Sequence, residues 1–148
     1  MEHTGYELTE RDASPDDIEW LVDLRLATMS EHFEKSGQRL SLADQRERVL
    51  QEFSSIRIIQ LGGLEAGMIK VVRTPDVWHL VQIQLLPQYQ GRGLGSSLIR
   101  GLLDDAQRAG IPVSLHVLKV NPAMRLYERL GFEVVADAGH SYEMRVGA

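Results

Sequence analysis

The run Leu85-Leu86-Pro87-Gln88-Tyr89-Gln90-Gly91-Arg92-Gly93-Leu94-Gly95-Ser96-Ser97 limits this chain more than any other stretch. It follows a strand-like segment over residues 77–86 and leads into an apolar stripe at helical spacing: Leu94, Leu98, Ile99, Leu102 and Ala106. Proline has no N–H to donate, so it ends strand pairing. Three alternate glycines then let the main chain turn and approach a ligand closely. The helix start offers unpaired N–H groups and the positive end of the helix dipole. A strand passing through such a loop into a helix belongs to an α/β fold. Read alone, the loop is either a phosphate cradle or a glycine-rich turn with no ligand. Arg92 adds a charged donor inside it.

Two common nucleotide cradles fail. Walker A closes on Gly-Lys-Ser/Thr, and this loop has no lysine. The dinucleotide fingerprint needs a third glycine where Ser96 stands, and an acidic residue at the end of the next strand, where Leu118-Lys119 stand.

The rest of the chain predicts a mixed α/β domain. A strand over residues 6–11 precedes Ser14-Pro15-Asp16-Asp17, a helix start with an N-cap serine, a first-turn proline and carboxylates at the positive helix end. Ile18, Leu21, Val22 and Met29 carry that helix, with Leu24 and Leu26 widening its stripe. A polar loop over residues 35–39 separates it from a second helix over 42–53. The period then changes. Strands over 57–61 and 64–72 flank Gly62-Gly63, a hairpin signal, and Thr74-Pro75-Asp76 turns the chain into the strand over 77–86. After the glycine-opened helix and its stop at Gly110 come a strand over 113–118 and a short helix capped by Asn121-Pro122. Strands over 132–135 and 142–146 end the order β-α-α-β-β-β-α-β-α-β-β. No repeat, low-complexity tract or linker divides residues 1–148, which read as one domain.

Composition removes several classes of function. With 43% hydrophobic and 25% charged residues, the chain is no candidate for disorder. A net charge of −5 argues against nucleic acid as a partner. The absence of cysteine excludes disulfides, thiolate metal sites and a thiol nucleophile. No His-x-His, His-Glu-x-x-His or Gly-x-Ser-x-Gly pattern occurs, so neither a metal nor a serine acyl-enzyme is expected. No apolar run reaches the ~18 residues of a membrane span, and residues 1–7 carry no export signal. A cytoplasmic protein without a membrane partner is the expectation. Residues 1–60 hold thirteen acidic and seven basic side chains; residues 61–148 hold eight and nine. That split is either a solvated acidic surface or a preference for a cationic partner in the first half and an anionic one in the second.

The residues around the loop narrow the choice. Gln90-x-x-Gly93-x-Gly95 after a strand and Pro87, then Asn121-Pro122-Ala123 and Leu126-Tyr127-x-x-Leu130-Gly131-Phe132, resemble the GNAT family of N-acetyltransferases. The family's acetyl-CoA loop reads Gln/Arg-x-x-Gly-x-Gly/Ala, and an Asn-capped helix ending in Leu-Tyr-x-x-x-Gly-Phe follows it. The motifs cover residues ~80–135, and the element order fits the family's fold over nearly the whole chain. The resemblance implies a single domain with a largely antiparallel central sheet flanked by helices.

It also implies roles. Gln90, Gly91, Arg92, Gly93, Leu94, Gly95 and Ser96 match the pyrophosphate loop of acetyl-CoA, the acetyl donor. Leu85 and Leu86 match the strand end whose backbone contacts pantetheine, and proline after them leaves backbone groups free. Asn121 matches a pantetheine contact and serves equally as an N-cap. Tyr127 matches the tyrosine that protonates the departing thiolate, and is otherwise an aromatic packed beneath the donor. Several family members use a glutamate base on the strand matching residues 77–86, where this chain has no carboxylate. His79 falls near its place and is either the base or a strand histidine with a structural role. Gln82 and Gln84 share a face and are able to order water. His32, Phe33, Gln82 and His140 fall in the acceptor region.

The expectation is therefore direct attack of a primary amine on the thioester in a ternary complex. A small-molecule amine is the first choice of acceptor and a protein N-terminus or lysine the second. A non-catalytic acyl-CoA-binding or sensing domain is the alternative of another class. Association into a homodimer is left open.

Overall fold

In the computed structural model, which describes residues 7–36 and 42–147, the chain begins with strand β1 (Leu8–Asp12). A 3₁₀ turn at Pro15–Asp17 leads directly into α1 (Ile18–Ser36), whose described side chains end at Thr28. The helix start is built as its residues predict. The Asp17 carboxylate accepts the Ser14 N–H at 2.8 Å and grips Arg11 Nη1 and Nη2 at 2.8 and 2.9 Å. β1 is thereby tied to the start of α1.

α2 spans Leu42–Leu50, stopping short of the predicted residue 53. Glu52 adopts a left-handed backbone at φ 51°, which breaks the helix before a 3₁₀ turn at Phe53–Ser55. Strands β2 (Ile56–Leu61) and β3 (Leu64–Arg73) then join through Gly62 and Gly63 at φ 62° and 85°. Two consecutive positive φ values are what a tight hairpin of this hand needs, and glycine adopts them without strain. β4 (Trp78–Leu85), α3 (Leu94–Ala109), β5 (Val113–Leu118), α4 (Met124–Arg129), β6 (Glu133–Asp137) and β7 (Ser141–Val146) complete the chain.

The strands form one sheet in the order β1-β2-β3-β4-β5-β7-β6. The pairs β1–β2, β2–β3, β5–β7 and β6–β7 are antiparallel, while β4 and β5 are parallel and joined through α3. This is the mixed α/β order read from the sequence, with the mostly antiparallel sheet that the family resemblance implies.

The chain forms two compact units, one of Met1–Lys70 with Gln82–Arg92 and one of Val71–Val81 with Gly93–Ala148. In the first, Leu21, Val22 and Leu24 of α1 share a core with Val49 of α2, Ile56 and Ile58 of β2 and Met68 of β3. In the second, α3 buries Leu94, Leu98, Ile99, Leu102 and Ala106, the stripe read from the sequence. β5 buries Val113, Leu115 and Val117 on one face, with Ser114 and His116 on the other.

Candidate active site

In the first unit the end of β4 is held more tightly than its sequence suggests. The Leu86 N–H donates to Ala66 O at 2.8 Å, and Leu86 O accepts the Tyr89 N–H at 2.9 Å. Leu85 O accepts Gln90 Nε2 at 2.9 Å. The backbone groups expected to be free after Pro87 are thus largely committed, because the Pro87–Tyr89 turn and the Gln90 amide fold back onto them. Gly67 on β3 explains the close approach. A Cβ there would lie 2.1 Å from the Gln84 carbonyl oxygen, so only glycine lets these backbones meet. The Arg92 guanidinium carbon lies 5.8 Å from the centroid of the Tyr89 ring, within the ~6 Å reach of a cation–π contact.

In the second unit Gly93 is the N-cap of α3, left-handed at φ 78°. The first bond back onto the cap is Ser97 N–H to Gly93 O at 3.1 Å, so the N–H groups of Leu94, Gly95 and Ser96 have no helical partner. A Cβ built on Gly93 or Gly95 would meet nothing within 4 Å, and the same holds for Gly91, at φ 75° in the first unit. Open space beside N–H groups without a partner among the described residues, at the positive end of a 16-residue helix, suits an anion.

His79 sits in the parallel ladder of the second unit, where β4 pairs with β5 at Trp78↔Val113, His79↔Ser114 and Leu80↔Leu115. Both of its ring nitrogens face protein partners. Nδ1 lies 2.7 Å from Ser114 Oγ, and Nε2 lies 3.4 Å from Nδ1 of His116. The two rings are 5.1 Å apart and tilted by 59°. Ser114 is 2% exposed, whereas His116 is exposed. Neither Ser114 nor His116 stands out in the sequence. Their signal was the polar alternation of Val113-Ser114-Leu115-His116 on β5, which becomes informative only once the parallel register is known.

Tyr127 lies on α4, edge-on to Phe132 with ring centroids 5.9 Å apart. Burial raises its phenol pKa above the ordinary 10.0, and its hydroxyl has no hydrogen-bond partner among the described residues. It is therefore a protonated donor throughout the neutral range. Asn121 does not cap α4 directly. Its Oδ1 accepts the Ala123 N–H at 2.9 Å in a turn that precedes the helix, and Ala123 holds the N-cap position.

The acceptor candidates are spread over the chain. Gln82 is half-buried on the last part of β4, in the first unit. His140 lies exposed in the β6–β7 turn of the second, where its carbonyl accepts the Lys119 N–H at 3.0 Å. His32 and Phe33 fall on the last turns of α1, and their side chains lie outside the described residues. A cavity of about 490 Å³ in the second unit is lined by Ala106, Gly110, Ile111, Leu130 and Val146, at the far end of α3 from its glycines. No titratable side chain lines it, so it is not the place for the chemistry. Among the described residues no group of three or more His, Cys, Asp or Glu is placed to hold a metal. Among the described residues no helix is long and apolar enough to cross a membrane.

Known proteins share this fold. The chain is 44% identical over 72 residues to the N-alpha-acetyltransferase RimI of Mycobacterium tuberculosis, a match that covers 47% of this chain and 44% of that relative. The chain thus spans less than half the length of that curated relative. The PaiA N-acetyltransferase of Thermoplasma acidophilum, solved with coenzyme A, superimposes with a TM-score of 0.78 at 18% identity, over 96% of this chain and 99% of the other. Arabidopsis thaliana Naa50, solved with the bisubstrate analogue CoA-Ac-MVNAL, gives 0.70 at 16% identity over 95% and 99%. These two likenesses establish the shared fold. The model of the acetyltransferase (GNAT) family matches residues 19–132, and with the glycine-opened helix in its expected place the chain belongs to that family.

Proposed function

We propose that residues 1–148 act as one N-acetyltransferase domain, moving an acetyl group from acetyl-CoA to a primary amine by direct attack in a ternary complex. The start of α3 carries this reading: a left-handed glycine at the N-cap, unpaired N–H groups on Leu94, Gly95 and Ser96, and open space where Cβ atoms would be. Family membership over residues 19–132 supports assigning the pyrophosphate of acetyl-CoA to that anion site. Gln90, Gly91 and Arg92 precede it in the loop, and Asn121 is assigned to pantetheine together with Leu85 and Leu86, through the carbonyl lone pairs that the Gln90 amide and the Tyr89 N–H leave unused.

When bound, acetyl-CoA supplies a thioester, with an electrophilic carbonyl carbon and a thiolate as leaving group. Tyr127 donates its hydroxyl proton to the departing sulfur and regains one from the nitrogen as the amide forms, so this exchange balances. The remaining proton, which makes the arriving amine an ammonium ion, goes to the histidines of the β4–β5 ladder, with His79 as the sequence candidate. The acidic excess of residues 1–60 favours the approach of a cation.

His32, Phe33, Gln82 and His140 are assigned to the acceptor. A small-molecule amine is the first reading. A protein N-terminus is the second, favoured by the identity to a relative named as an N-alpha-acetyltransferase. Thiol release from acetyl-CoA, measured against small amines and against peptides with free N-termini, separates the two. Calorimetry with acetyl-CoA runs beside it. Binding without thiol release for either panel would replace the enzyme with an acyl-CoA-binding domain, and absence of binding would remove the cradle.

A further inference from the structure

We propose that Arg25, Gln45 and Lys70 form a binding site for one small oxyanion, a carboxylate or a phosphate, where α1, α2 and β3 meet. The inference goes beyond the acetyltransferase reading and does not rest on it. All three side chains belong to the first unit, and none to the glycine-opened start of α3.

The chain buries these polar groups by periodicity. Arg25 follows the core residues Leu21 and Val22 at helical spacing on α1, and Gln45 precedes core Val49 by four on α2. Lys70 follows core Met68 by two on β3, so it shares that face of the strand, and it pairs across with core Ile56. Arg25 is 7% exposed, Gln45 4% and Lys70 4%. Two cations and an amide are thus carried under α1 and α2 beside an apolar core, where a charge is costly unless it is paired and hydrogen-bonded.

What the cluster lacks is acceptors. Arg25 donates its Nε–H to Gln45 Oε1, and because arginine only donates, this contact fixes which end of the amide is oxygen. The Nη groups of Arg25 and Nε2 of Gln45 have no hydrogen-bond partner among the described residues. Lys70 Nζ reaches the Arg48 carbonyl at the long distance of 3.5 Å and no other acceptor among them. No described carboxylate forms an ion pair with Arg25 or Lys70. Glu19 is taken by Arg46, and Glu52 is exposed. Guanidinium, amide and ammonium are all donors here, so the complementary group is one that only accepts. Water supplies lone pairs without charge; an oxyanion supplies both, and its paired oxygens match the planar Nη fork of arginine.

The electrostatics press the same way. Burial pulls the Lys70 ammonium below its ordinary 10.5; Glu52 opposes this, and Arg25 adds to it. Burial likewise lowers Arg25, and Arg48 adds to it. Each buried cation therefore stands in the field of another cation. An anion held by both offsets the desolvation and the repulsion together. It also fastens α2, because Gln45 and the Arg48 carbonyl are the groups through which α2 touches the two cations.

The test titrates sodium phosphate and sodium malonate onto the full chain, without acetyl-CoA and with ionic strength held constant by chloride. Calorimetry and the melting temperature are read together. At least one of the two anions should bind saturably and raise the melting temperature. Tighter malonate assigns the site to a carboxylate, and tighter phosphate to a phosphate. Arg25→Met and Lys70→Met should each weaken that binding about tenfold or more, the loss of a hydrogen bond to a charged group. Both should fold in chloride, since each replaces a buried, unpaired charge with an apolar side chain. Gly95→Val, altered at the start of α3, should keep the response. Absence of saturable binding would overturn the site, and so would a response lost in Gly95→Val but kept in Arg25→Met, which puts the anion on α3. An equal rise in wild type and both methionine variants would be the general effect of excluded salts and overturn it too. If one methionine variant fails to fold, the other carries the comparison; failure of both would show that the cations are already satisfied within the fold, against the proposal. No acetyl transfer is measured, so a chain that acetylates nothing would sink the preceding reading and leave this one tested.

Discussion

Gly67 and Gln84 lie so close across β3 and β4 that a Cβ on Gly67 would stand 2.1 Å from the Gln84 carbonyl oxygen and 3.0 Å from the Leu85 Cα. Both neighbours are backbone, so neither swings aside as a side-chain tip would. The approach is what holds the last residues of β4, where Leu86 bonds to Ala66.

Gly67→Ala should therefore destabilise the fold, by about 1–3 kcal/mol as overpacked cores do. A lower denaturation midpoint checks this, and an unchanged midpoint would mean that the strands separate there at little cost. Because Leu85 and Leu86 follow directly, acetyl-CoA affinity should fall in the same variant.

The Asp17–Arg11 pair sets an acid limit on stability. Hydrogen bonds from Arg11 hold the Asp17 carboxyl at about 2, below its ordinary 3.8. A carboxyl whose pKa is depressed by folding contributes its stability above the unfolded value and loses it as pH falls through the folded one. The loss should fall between about pH 4 and pH 2. Asp17→Asn should flatten the denaturation midpoint over that window relative to wild type. Identical pH dependence in the two proteins would assign the acid limit to other carboxylates.

What was legible in the sequence was local. Leu85 to Ser97 announced a strand, a stop and a glycine-opened helix, because each signal acts within a few residues of where it is written. Gly62-Gly63 and Ser14–Asp17 were readable for the same reason. The contact of His79 with Ser114 and His116 was not, since those residues are 35 and 37 positions away across the α3 crossover. Parallel register has no turn to fix it in sequence. Gly67 was equally silent, as a strand glycine does not say which backbone approaches it. Asn121 shows a finer limit: a capping asparagine and one in a turn just before the helix carry the same local signal.

Gly95 separates ligand binding from folding better than Gly93 does. Gly93 is left-handed at φ 78°, so valine there strains the helix start as well as filling the cradle. Gly95 lies inside the first turn of α3, is not among the positive-φ residues, and has nothing within 4 Å of an added Cβ. Valine is no worse than glycine in a helix. Gly95→Val should keep its melting temperature and lose acetyl-CoA affinity by about tenfold or more, equivalent to ~1.4 kcal/mol. Calorimetry on the folded variant decides it, and unchanged affinity would take the α3 start out of the binding site.

Tyr127 offers the sharpest test of leaving-group chemistry. Burial raises its pKa above 10.0, which disfavours the phenolate and keeps the proton in place through the working range. Its hydroxyl is unpartnered among the described residues, while its ring already has Phe132 at 5.9 Å. Phenylalanine preserves that packing and deletes only the donor. Tyr127→Phe should therefore bind acetyl-CoA like wild type and lose about 10²–10⁴-fold in kcat. Any descending limb from Tyr127 should lie higher than an ordinary phenol would put it, since burial disfavours the phenolate. Rapid-quench measurement of the acetyl-transfer step distinguishes a chemical loss from slower product release. If that step changes less than about threefold, well under the general-acid range, the ring is a packing element and the sulfur takes its proton from water.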